Sequence, residues 1–183
     1  KGYPFITGNT GLTLCYLVLH KNQLMTFNWI KKEALLFELT ANDQAIGTLG
    51  FNSSFTVATA QFGAEKIILQ RTGFFKSNLE IQNSEGKIIG TSRPLKWYSS
   101  TTVLSYRERI YEIKIRNNPL CEFAVYADNE QLVAYGLTHE KGKAAVRINT
   151  VTNELIFHFI LWYLFYPVAI ENSGSDILFL TIA

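Results

Sequence analysis

The sequence predicts a mainly β protein, a closed antiparallel barrel of about twelve strands around a central hydrophobic helix near the C-terminus. Three observations carry this. Short apolar or alternating runs recur from Leu35 to Asn149, each followed by a turn cluster. Several runs alternate cleanly between apolar and polar residues, so one face is buried and the other wet. One stretch, ELIFHFILWYLFYPVAI (Glu154–Ile170), is apolar almost without a break and needs an enclosure that such strands can provide.

The 183 residues suit one compact domain, and 48% hydrophobic residues exclude a disordered chain. Net charge is +2. Both surplus positives, Lys1 and Lys21, precede Met25, and from Met25 onward the balance is zero, which speaks against a nucleic-acid partner. Lys1–Leu24 is expected to be an N-terminal extension outside the natural domain (1–24), because the regular strand pattern begins only after Trp29; Met25, the single methionine, is read as the natural start. The rival reading is a signal peptide. Its apolar run, Leu12–Leu19, is short and has no basic cluster ahead of it, and bulky Leu14 precedes Cys15 where a lipoprotein cleavage box needs a small residue. Cys15 and Cys121 are too few and too distant for a disulfide framework or a metal box, which fits a reduced, cytoplasmic compartment.

The strands are read in order as LLFELT, AIGTLGF, FTVATA, KIILQR, LEIQ, KIIGTS, LKWY, VLSYR, IYEIKI, LCEFAVY, QLVAYGL and KAAVRIN. The intervening turns ANDQ, NSEG, SSTT, RNNP, ADNE and THEKG contain the Asn, Asp, Gly, Ser or Pro that preset tight-turn dihedrals. Parallel strands would need longer crossovers, and no amphipathic helix is available for them. A faint repeat links ELTANDQAIG, EIQNSEGKIIG and VYADNEQLVAYG. Gly47, Gly90 and Gly136 fall inside the returning strands, where glycine marks a bulge or sharp bend. The alternative is three unrelated hairpins of similar turn chemistry.

For the apolar stretch, Thr152 or Asn153 can cap a helix, with Glu154 in its first turn. Pro167 is expected to break or bend it after Tyr166, giving a helix over about 153–166. Leu155–Tyr166 would then be about 18 Å long, against a bilayer core of about 30 Å. It contains His158, and its nearest charges are Glu154 and Glu171 rather than cationic anchors. A membrane span is therefore under-length, and a buried core helix is the preferred reading. No face of the helix is polar, so it must be enclosed on every side.

On the strand count, hairpin phrases such as EIQNSEGKIIG and the position of ELIFHFILWYLFY, the chain from Trp29 to Tyr166 resembles the tubby C-terminal domain superfamily. That group includes the plant LURP-one-related proteins and the phospholipid scramblases. The continuation through ENSGSD and ILFLTIA departs from the family plan, and residues 176–183 are expected to form a strap or further strand on the barrel. The resemblance implies a non-enzymatic, membrane-peripheral module in which residues 25–183 form a single barrel domain that recognises lipid headgroups or a membrane surface. The alternative is a protein-interaction or assembly module without lipid binding, with the ILFLTIA tail as a contact element.

Local chemistry is sparse. There is no nucleophile motif and no glycine-rich phosphate loop, and neither His20 nor His139 has metal-ligand spacing, so no catalytic residue, cofactor or metal is expected. Glu38, Glu80, Glu112 and Glu122 read as wet-face residues. The ADNE turn has too few oxygen ligands for a calcium loop. His158, Trp162 and Tyr166 form one stripe on the helix, read either as a polar seam facing a cavity or as groups satisfied by the barrel wall. Two basic sets are candidates for lipid or phosphate binding, since tubby domains bind phosphoinositide headgroups through barrel-surface cations. One is Arg107, Arg109, Lys114 and Arg116, where interleaved Glu108 and Glu112 favour ordinary ion pairs. The other is Arg93 and Lys96 with Trp97 and Tyr98, a basic-aromatic patch of the kind found at membrane interfaces.

Overall fold

The computed structural model describes residues 25–73, 77–96, 99–116, 121–140, 143–173 and 177–178. The expectations for residues 1–24, for Trp97 and Tyr98 and for the tail beyond Leu178 lie outside them. Twelve strands follow one another around a nearly closed antiparallel barrel, each paired with its successor in the chain. They are β1 (Phe27–Lys31), β2 (Leu36–Ala41), β3 (Gln44–Phe51), β4 (Val57–Phe62), β5 (Glu65–Thr72) and β6 (Asn78–Asn83), then β7 (Ile88–Pro94), β8 (Thr101–Tyr106), β9 (Arg109–Arg116), β10 (Glu122–Ala127), β11 (Glu130–Glu140) and β12 (Lys143–Thr150). Helix α1 (Leu155–Ser173) follows, and β13 (Ile177–Leu178) returns to pair in parallel with Ala144 and Ala145 of β12. The helix is thus the long crossover that a parallel pair requires.

Strict up-and-down order gives the barrel two unlike ends. At one, the turn end, Asn42–Asp43, Arg107–Glu108 and Asp128–Asn129 are two-residue turns with both φ angles positive, the geometry whose twist matches paired strands. At the other, the loop end, the connections are longer, as between β3 and β4 and between β7 and β8. The helix enters from the turn end and runs towards the loop end, so Phe159 packs near the first and Tyr163 reaches Thr56 near the second.

Two strand assignments differ from the sequence reading. Leu95 and Lys96 of the expected strand LKWY are not in a strand: β7 continues through Pro94, and they belong to the connection that follows. FNWIK is one, and it opens the barrel. Phe27 and Trp29 face inward, but no turn signal precedes them to mark the run. The repeat is real at the level of the ladder. Register slips by one residue at Ile46, Ile89 and Leu132, equally spaced along the chain, so each of the three hairpins carries a bulge at the corresponding place. Gly47 and Gly90 lie directly beside their bulges, whereas the third hairpin has Val133 there and Gly136 sits farther along, opposite Glu122.

The helix also corrects the expected 153–166. It begins at Leu155, so Glu154 is not in the first turn but accepts from the Phe157 N–H at the cap, while Thr152 Oγ1 accepts from the Glu154 N–H. It continues through Pro167 to Ser173. Proline costs about 3 kcal/mol inside a helix, and burial of Tyr166 and Ala169 on either side holds the backbone helical across it. At 19 residues the helix is about 28 Å long, and by length and composition it could cross a membrane. Length therefore no longer argues against a span; burial does. Phe157, Phe159, Ile160, Leu161, Trp162 and Phe165 have no exposed surface at all, because the inward faces of the strands surround them.

The helix approaches the wall closely at Gly47, where a Cβ would lie 2.6 Å from Phe159 Cζ and 2.7 Å from the Gln61 carbonyl oxygen. Gly136 has only ordinary contacts, the nearest at 3.8 Å. Gly47→Ala is therefore expected to destabilise the fold by about 1–3 kcal/mol, and Gly136→Ala to change stability by no more than about 0.5 kcal/mol. Urea unfolding of the two variants checks this, and equal effects would contradict the close approach.

Candidate functional site

The alternation of the strands sorts the charges by end. Asp43, Glu65, Glu85, Glu108, Asp128, Glu130 and Glu154 lie at the turn end and outnumber its cations Lys66, Lys87, Arg107 and Arg109, making it acidic on balance. Arg93, Lys96, Lys114 and Arg116 lie at the loop end, on β7, the β7–β8 connection and β9. The seven sequence candidates are thus divided: Arg107 and Arg109 sit at the opposite end from these four, and Trp97 lies outside the described residues.

Most of these cations are engaged. Arg107 donates to Glu65 Oε2 at 2.8 Å and lies over the Tyr106 ring, which holds its strained two-residue turn. Lys114 pairs with Glu112 at 3.0 Å and stands 4.4 Å from the Tyr126 ring. Arg116 faces Glu122 directly across the β9–β10 ladder at 3.7 Å. These are the interleaved ion pairs that the strand pattern favours, and at the surface each contributes about 1 kcal/mol or less. Arg93 and Arg109 are exposed and have no ion pair among the described residues. Beside Arg93, Leu95 is 55% exposed next to Lys96. The loop end therefore presents an apolar side chain between two cations.

The polar stripe on the helix resolves into a buried relay. Trp29 Nε1–H donates to the Tyr135 hydroxyl at 2.9 Å, and that hydroxyl shares a 2.8 Å hydrogen bond with His158 Nδ1. The other ring nitrogen, Nε2, is buried without a partner among the described residues. The ring stacks on Phe27 at 4.2 Å, and burial pushes its pKa down to about 3. Trp162 stacks on Trp29 and Tyr166 on Trp162. The relay joins β1, β11 and α1 across the gap where no ladder connects β1 to β12 among the described residues. Its place is the barrel seam, and it satisfies one nitrogen of His158 but not the other. Burial likewise raises the Cys121 thiol to about 11, so it is a protonated core residue at neutral pH.

One residue of interest is missed in the sequence reading. On β5 the inward positions are Ile67, Leu69 and Arg71, so the alternation of KIILQR places an arginine on the core face. Its register partners continue a row, Arg71 to Leu79 to Ser92, with Ser92 also buried. Counting alternate positions forward from Ile67 and Gly90 would have found both. They border a cavity of about 190 Å³ between the wall and the C-terminal half of the helix.

Together these features define a filled β-barrel with a cationic loop end, an acidic turn end and a small, mostly apolar cavity edged by polar groups. Among the described residues no group of three or more His, Cys, Asp and Glu comes together as a metal site. No family model matches the chain, and neither does any curated protein or solved structure.

The neutral histidine has a consequence for stability. The unfolded chain takes up a proton near the ordinary value of 6.5, while the folded state refuses it down to about 3. Between those values the unfolded state binds more protons, so stability is lost as pH falls through the window. From pH 7.0 to 5.5 the wild type is expected to lose about 1 kcal/mol more than His158→Phe. Urea unfolding at both pH values measures this, and parallel losses would contradict a buried neutral His158.

Proposed function

We propose that the chain is a non-enzymatic binding module of tubby-like architecture that docks its loop end on anionic lipid headgroups at the cytoplasmic face of a membrane. The observation that carries this is the loop-end arrangement of Leu95, exposed between Arg93 and Lys96, on a barrel whose other end is acidic. Anionic leaflets attract basic residues by about 1 kcal/mol each near the surface, and an exposed leucine adds apolar insertion. The turn end would be repelled by the same surface, so the charge asymmetry orients the molecule. The likeness to tubby-like barrels rests on strand order and on the apolar helix at the centre.

A second reading, an assembly module, draws on Ile88, Ile110 and Val151, all more than half exposed at the turn end. The two readings use opposite ends and separate cleanly. Flotation with vesicles containing anionic lipid is expected to carry the wild type, to fail with neutral vesicles, and to weaken about ten-fold or more in Arg93→Glu/Lys96→Glu, with Arg109→Glu at the turn end unchanged. No flotation, together with a dimer on sizing that Ile110→Asp dissociates, would replace the membrane reading with assembly.

A further inference from the structure

We propose that the cavity at the loop end is a binding site for a small oxyanion, a carboxylate or phosphoryl group attached to a short apolar body, with Arg71 as its charge partner. This does not depend on membrane docking, since it uses the inner face of the wall and not the outer rim.

The argument begins with an exception to the barrel's own rule. Inward positions on the preceding row are apolar, with Leu69 and Ile81 fully buried, and the row of Arg71 itself continues into buried Leu104. The row Arg71–Leu79–Ser92 breaks that rule at two strands of three. With strands about 4.8 Å apart, Arg71 and Ser92 stand about 10 Å apart on the same inward face, a span that a small ligand can bridge. Arginine cannot shed its proton, so its charge persists wherever the fold places it.

The surroundings leave that charge unbalanced. Arg71 forms no ion pair among the described residues, and its Nε is buried without a hydrogen-bond partner. The guanidinium lies 5.8 Å from the centroid of the Tyr163 ring. Tyr163 hydrogen-bonds Arg71 but does not neutralise it: its hydroxyl donates to the Thr56 carbonyl at 2.6 Å, and burial pushes its pKa up to about 12 although the charge and hydrogen bonds of Arg71 pull the other way. None of the described residues lining the cavity is acidic. A partly buried, unpaired cation is costly, and a bound anion removes that cost. The fork of donors on a guanidinium matches the two oxygens of a carboxylate or phosphoryl group.

The remaining lining sets the body of the ligand. Asn78 and Ser92 offer neutral polar groups beside Arg71, and Ile113, Phe123 and Leu164 form the apolar side. A volume of about 190 Å³ is somewhat larger than a cavity of roughly 150 Å³ that holds benzene, and smaller than the roughly 300 Å³ or more of most ligand pockets. It suits an aryl or short alkyl group with one anionic end.

Isothermal titration of the full chain with benzoate, phenyl phosphate and uncharged benzamide tests the proposal. Benzoate or phenyl phosphate is expected to bind, benzamide about ten-fold or more weakly, and Arg71→Gln is expected to lose the anion preference. The stronger of the two anions identifies a carboxylate or a phosphoryl source. Ser92→Leu, which fills the cavity and keeps the arginine, is expected to abolish binding with the fold intact, and serves if Arg71→Gln does not fold. Benzamide binding as well as the anions, undiminished binding by folded Arg71→Gln or by Ser92→Leu, or no binding of any of the three up to about 10 mM would overturn it.

Discussion

The structure depends on one constraint: a helix that is apolar on every side has to be surrounded. A surface helix needs only one apolar stripe, and a sandwich can cover two faces. Here Phe157, Phe159, Leu161, Trp162 and Phe165 point in different directions and all are sequestered. Only a sheet curled around the helix does this, and curling needs strands that bend. The bulges at Ile46, Ile89 and Leu132 supply bends at equal intervals, and Gly47 allows the wall to approach Phe159 to a distance that no side chain would permit. Helix and barrel are therefore one cooperative unit, since neither buries its apolar surface without the other.

Such a wall leaves a seam where the first strand meets the last. The relay from Trp29 through Tyr135 to His158 lies across it. It replaces part of the missing ladder with side-chain hydrogen bonds and aromatic stacking, at the cost of an unsatisfied His158 Nε2. The same economy appears at the opposite side of the core. There the row of Arg71 and Ser92 leaves polar groups facing a small void rather than packed apolar atoms. Both departures from an all-apolar interior lie beside the helix, where the wall has least freedom to adjust.

Much of this architecture is legible in the residues. The hairpins announce themselves because their turns use Asn, Asp and Gly and their strands alternate, and the demand of Leu155–Phe165 for enclosure converts a set of hairpins into a barrel. What is not legible has physical causes. FNWIK lacks a preceding turn to mark it as a strand. LKWY has strand-like composition, but β7 uses its pairing capacity up to Pro94. Pro167 is a local helix breaker overruled by the burial of its neighbours. The basic candidates looked like one group because sequence proximity hides the alternation of ends. Arg107 and Arg109 are close in the chain to Lys114 and Arg116, yet a strand's length separates them. Arg71 escaped notice because a lone arginine at the end of KIILQR reads as a solvated strand terminus unless inward positions are counted.

If the barrel is the scaffold, function belongs to its ends and to the space left beside the helix. The cationic rim at the loop end and the arginine just inside it are separate features with separate chemistry, and both presuppose the enclosed helix. The most direct test of that enclosure is native-state hydrogen exchange in detergent-free buffer. Amides of Phe157–Phe165 should exchange among the slowest in the chain, with the same free energy of opening as Leu39, Leu69 and Val125 in the wall. Exchange in that helix at rates typical of exposed loops, or protection that appears only when detergent or lipid is added, would contradict it.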